Sequence, residues 1–118
     1  MLARVIYGEA RGESDSGRIA VGNVIINRAK NKPIKDVILQ SKQFSCLNPN
    51  DKNFQVISEP EINDSDMVEC RKIADMLLSG RIMDNTRGSM FYHEKSVKPY
   101  WAKNKTVKRK IGRHRFYK

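Results

Sequence analysis

The segment Leu2-Ala3-Arg4-Val5-Ile6-Tyr7-Gly8-Glu9-Ala10-Arg11-Gly12-Glu13 carries both the first fold signal and the first chemical one. Leu2, Val5 and Ile6 recur at the period of one helix face, which predicts a short helix over residues 2 to 10, weakened by Gly8 and ended by Gly12. Glu9 then falls near the C-terminal end of that helix. Between Gly8 and Ala10 its carboxyl has little steric cover, so a sugar chain could approach closely. The negative end of the helix dipole and the apolar neighbours Ile6 and Tyr7 both disfavour the ionised form. A carboxyl held protonated near neutral pH is what donation to a glycosidic oxygen requires. Spacing alone favours a plainer role, that of a solvated glutamate on a helix surface.

Outward from this segment, Ser14 or Asp15 can cap a second helix running to about Lys30. Ala20, Val21, Val24 and Ile25 form its apolar stripe, and Ile19 and Ile26 widen it, so protein should wrap most of this helix. Glu13 precedes its first turn, where a carboxylate can accept orphan backbone N–H groups and stay ionised. That suits a structural anion better than a proton donor, with substrate contact as the other reading. Asn31 to Pro33 breaks the chain, and residues 34 to 40 read as a weaker helical turn with Val37 and Ile38 inward. Polar stretches at 48 to 53 and 58 to 64 are loops. Asp64 or Ser65 opens a further helix with Met67, Cys70, Ala74, Leu77 and Leu78 on its apolar face and Gly80 as a left-handed cap.

The C-terminal third changes character. Residues 90 to 93 read as a strand, 97 to 101 as a Pro-containing loop, and Val107, Arg109 and Ile111 alternate as a second strand. His114, Phe116 and Tyr117 form the returning arm, which predicts a ribbon with Val107 and Ile111 on one face and Lys and Arg on the other. The expected class is α+β, mainly helical, with a small sheet or hairpin near the C-terminus. At 118 residues and 13.6 kDa the chain fits one domain, residues 1 to 118.

Charge is unevenly spread. Ten of the 23 basic residues and none of the 13 acidic ones fall in residues 95 to 118, so the other 94 positions are balanced and the formal +10 sits at one end. Such a surface attracts polyanions, including nucleic acid, an anionic membrane face or an anionic wall polymer. No run of apolar residues is long enough to span a bilayer, and the first residues lack a signal-peptide pattern. Cys46 and Cys70 read either as two thiols or as one disulfide. His93 and Glu94 lack metal-site spacing, and Ser45 lacks the glycines of a nucleophile elbow, so neither a metal nor a cofactor is expected. Phe44, Tyr92, Tyr100 and Trp101 offer rings that can stack on sugars, and Gln43 an amide for hydroxyl or acetamido groups.

Residues 2 to 13, then Ala20-Val21-Gly22-Asn23-Val24-Ile25-Ile26-Asn27-Arg28, Gln43-Phe44-Ser45-Cys46, and Ile111-Gly112 with His114, Phe116 and Tyr117 resemble, in that order, the SleB/CwlJ family of cell-wall hydrolases. The resemblance implies a lysozyme-like domain that cuts peptidoglycan glycan strands between N-acetylmuramic acid and N-acetylglucosamine. It implies Glu9 as the catalytic acid and then base of a lytic transglycosylase. Glu13, Gln43, Phe44, Tyr92, Trp101 and His114 are the expected substrate-binding residues. A true hydrolase would need a second carboxylate, for which Glu13 is the first candidate. A basic domain without an export signal looks like a phage endolysin, held in the host cytoplasm until it reaches the wall; a fragment of an exported wall protein would look the same. On either reading residues 95 to 118 would hold anionic wall polymers and the chain would act as a monomer. A nucleic-acid-binding module using residues 105 to 115 is the rival from another class, disfavoured because no recognition pattern accompanies the charge.

Overall fold

Helix α1 (Leu2–Ala10) buries Leu2, Val5, Ile6 and Ala10 and stops where Gly12 stands outside the helical period. The structure, a computed structural model, describes residues 2–38 and 65–118. Helix α2 (Asp15–Arg28) begins at Ser14, whose hydroxyl accepts the Gly17 N–H, with Asp15 favourably placed at the positive end of the dipole. Its buried residues lie on several sides, including Ala20, Val21, Val24 and Ile25 on the expected stripe and Asn23 and Asn27 beside it. A short α3 (Ile34–Ile38) turns Val37 and Ile38 inward as expected.

Helix α4 (Ser65–Leu78) packs against both α1 and α2, and the three share a core of Val5, Ile6, Val21, Val24, Ile25, Met67, Cys70, Ile73 and Leu77. Its apolar face differs in one place from the expected one. Leu78 is 58% exposed, and Ile73 is buried instead. At about 100° per residue, Leu78 falls about 20° beyond one edge of the stripe defined by Met67, Cys70, Ala74 and Leu77 and Ile73 about 40° beyond the other, so the packing of α4 against α1 and α2, and not the helical period, decides which of them is covered. Gly80 adopts the left-handed conformation expected of a cap, at φ +73°.

A three-stranded antiparallel sheet, in the order β1-β3-β2, closes the described part of the chain. It comprises β1 (Phe91–Glu94), β2 (Val107–Ile111) and β3 (His114–Tyr117), with a 3₁₀ helix at Tyr100–Asn104 between β1 and β2. Trp101, expected in a loop, therefore sits in a helical turn. The strand period sends Tyr92, His114 and Phe116 to the side of the helices, and Phe91, His93 and Tyr117 to the other. Val107 pairs with Tyr117 and Ile111 with His114, across a bulge between Val107 and Arg109. The extra residue flips the facing, so Val107 and Ile111 lie on opposite faces rather than on the same one. Lys108, Arg109 and Lys110 are exposed, as a cationic edge requires.

The α2-to-sheet join is fixed by polar groups. Asn27 Nδ2 donates to Asp84 Oδ2 at 2.8 Å and to the Ser89 carbonyl at 3.0 Å. Burial alone would raise the Asp84 pKa, but hydrogen bonds from Thr86, Asn27 and the Gly88 N–H hold it below the usual carboxylate range. Among the described residues no helix is long and apolar enough to cross a membrane.

Candidate active site

Glu9 lies in the last turn of α1, half-buried, one residue before the helix ends. Two carbonyls at this end are met by one side chain from α2. Arg18, 7% exposed, donates from Nε to the Ala10 carbonyl at 3.4 Å and from Nη2 to the Arg11 carbonyl at 2.5 Å. The same Nη2 meets Asp66 Oδ1 of α4 at 2.7 Å. Burial opposes its charge, yet Asp66 and Asp15 hold the guanidinium pKa above its ordinary value. Arg18 thus binds the ends of α1 and α4 to α2 beside Glu9. The sequence carried a signal for it: Arg18 stands three and seven residues before Val21 and Ile25, inside the apolar stripe, where a charge requires a partner.

Glu13 is placed otherwise than expected. Ser14, not Glu13, caps α2, and the Glu13 carboxylate instead reaches across to the β2–β3 turn. Its side chain is 9% exposed; Oε1 accepts the Arg113 N–H at 2.8 Å, and Oε2 lies 3.6 Å from Arg113 Nε. His114 Nδ1 stands 3.2 Å from Oε1, close but poorly aligned, so this contact is mainly electrostatic. Burial pushes the His114 pKa down against the opposing pull of Glu13 and Glu94. A helix-capping role needs only local sequence; this role needs residues a hundred positions away.

Tyr92 completes the inner cluster, its ring meeting His114 edge-on at 5.2 Å and Phe116 at 5.8 Å. The structure therefore brings Glu13, His114 and Tyr92 together near the end of α1. It does not bring Trp101 to them. That ring packs on the far face of the sheet against Phe91, His93 and Tyr117, with centroids 5.3 to 5.8 Å away. His93 belongs to the same far face, its Nδ1–H donating to the Glu94 carbonyl and its Nε2 accepting from the Tyr117 hydroxyl at 2.7 Å. Gln43, Phe44 and Cys46 lie outside the described residues; Cys70 is buried in α4. Among the described residues no three His, Cys, Asp or Glu side chains gather as a metal ion would require.

The family described as Cell Wall Hydrolase matches residues 12–117, most of the chain. The chain belongs to that family. A spore cortex-lytic enzyme of Oceanobacillus iheyensis is 35% identical to this chain over 68 residues, covering 48% of the chain and 25% of the relative. The chain spans about a quarter of the length of that curated relative. Two solved structures share the fold of this family member: the catalytic domain of the Bacillus cereus SleB protein, and that of the germination-specific lytic transglycosylase SleB from Bacillus anthracis. Each superposes with a TM-score of 0.77 at 26% identity over 99% of this chain, and over 86% and 90% of its own length respectively. The expected mainly helical α+β class, with its small sheet near the C-terminus, is borne out.

Proposed function

We propose that this chain cleaves the glycan strands of peptidoglycan between N-acetylmuramic acid and N-acetylglucosamine, as a lytic transglycosylase with Glu9 as general acid and then base. The observation that carries the transglycosylase reading is the engagement of Glu13. The segment has two carboxylates, and the one that could serve as a hydrolase's second group is buried against Arg113 and His114. A mechanism that needs one carboxyl fits this arrangement; one that uses Glu13 as the second carboxylate flanking the scissile bond does not.

In the proposed reaction the Glu9 carboxyl gives its proton to the glycosidic oxygen as the bond to the muramic C1 breaks, releasing the next sugar. The resulting Glu9 carboxylate takes the proton of the muramic C6 hydroxyl, whose oxygen closes on C1 to give a 1,6-anhydro ring. The proton balance closes on Glu9, and water is not consumed. Family membership supports the substrate, and the lytic transglycosylase among the structural relatives supports the product.

Glu9→Gln should reduce release of soluble fragments from purified walls by about a thousandfold, within the range expected for loss of a general acid–base group. Its thermal midpoint should stay close to that of the parent. Mass spectrometry of the parent's digest should find anhydromuramic ends. Reducing muramic ends would replace the transglycosylase reading with hydrolysis, and an active Glu9→Gln protein would remove Glu9 from the mechanism.

A further inference from the structure

Arg113, on the β2–β3 turn, brings a largely exposed cation against the segment that follows Glu9. Its backbone N–H and Nε both face Glu13, at 2.8 and 3.6 Å, while its side chain remains 60% exposed. The guanidinium lies over Gly12, three residues after Glu9: a Cβ at Gly12 would come within 3.1 Å of Arg113 Nη2. The turn that presents it depends on Gly112, at φ +55°, where a Cβ would also approach Glu13 Oε1 to 2.9 Å. Two glycines thus clear the space in which the Glu13–Arg113 pair meets. Glu94, the other carboxylate whose charge reaches this arginine, is bonded to the Ser96 hydroxyl and N–H.

Glu13 accepts the Arg113 backbone N–H and attracts the Nε side of the guanidinium, Nη2 lies over Gly12, and most of the side chain is left exposed. An exposed planar fork suits carboxylates and phosphates through paired N–H···O contacts, and of these two the peptide-bearing glycan strand carries the carboxylate. We infer that Arg113 is a substrate-binding residue of the Glu9 site and that it takes a carboxylate of the peptide stem carried by muramic acid. This rests on the peptidoglycan reading above and deepens it. Glu13 is then a positioning residue, which orients Arg113 and makes no contact with substrate. Peptide-bearing strands would be preferred over bare glycan, and the preference would reside in binding.

Binding is measured in the Glu9→Gln background, so that substrate persists, with two soluble probes: a glycan tetrasaccharide bearing peptide stems and the same chain stripped of them by amidase. Arg113→Gln should weaken the peptide-bearing probe about five- to tenfold and leave the stripped probe unchanged, with Arg113→Lys intermediate. Equal weakening of both probes, or of neither, would overturn the assignment. A teichoic-acid phosphodiester probe is the third arm; if it alone loses affinity, the arginine reads phosphate and the stem assignment falls. Failure of the Glu9 reading is seen separately, as cleavage of either probe by Glu9→Gln, while the two affinities still report on Arg113.

Discussion

Glu9 and Glu13 stand four positions apart in one glycine-rich stretch, and their environments divide them. Glu9 rides on the last helical turn, half-buried, whereas Glu13 turns inward and is held by the β2–β3 turn. Glu13→Gln keeps an acceptor for the Arg113 N–H but loses the charge facing Arg113 and His114. It should cost about 1 to 3 kcal/mol in denaturant unfolding. The kcat of the folded variant should stay within about tenfold, with KM rising more; a collapse of kcat alone would restore Glu13 as a reacting carboxylate. His114 adds a pH dependence. Its pKa is lowered by burial, so below its ordinary value of 6.5 the unfolded chain binds a proton that the folded chain resists. Its contribution is complete above that value and lost as pH falls below it. The thermal midpoint should decline from pH 6.5 toward 5, and His114→Asn should flatten that part of the profile.

At the scale of elements, the joints between helices depend on a few buried polar groups set into an apolar core. Arg18 ties α1, α2 and α4 through the Ala10 and Arg11 carbonyls and Asp66. Arg18→Met should fill the same volume while leaving the Arg11 carbonyl and Asp66 without the guanidinium, at a cost of about 2 to 4 kcal/mol by denaturant titration. A neutral result would mean that solvent replaces the guanidinium at the end of α1. The elements also show where local pattern suffices. The bounds of α1 and α2 follow from periodicity, the Ser14 cap and the break at Gly12, all of which act within one helical turn. Leu78 and the β2 bulge were not legible: an apolar residue is buried only where a neighbour covers it, and a bulge becomes visible only against its partner strand.

Over the whole molecule the charge is polarised, with Lys108, Arg109 and Lys110 on the exposed edge strand. If this edge holds anionic wall polymers, sedimentation of the protein with purified walls should fall several-fold between about 50 and 500 mM salt, as screening shortens the reach of exposed charge. A Lys108→Gln/Lys110→Gln variant should bind less at low salt, depend less on salt, and unfold within about 0.5 kcal/mol of the parent. Salt-independent association would take wall binding away from this edge.

The sequence by itself determined the helices, the C-terminal ribbon, the cationic end and Glu9 as the acid worth testing. Each of these rests on residues close together along the chain, where helix period, strand period, capping and charge counting operate. Only the tertiary structure decided the work of Glu13, the separation of Trp101 from Tyr92 across the sheet, and the anchoring of Arg113. Those depend on which side chains meet once separate elements are packed together, the Glu13 contacts joining residues a hundred positions apart, and no local preference carries that information.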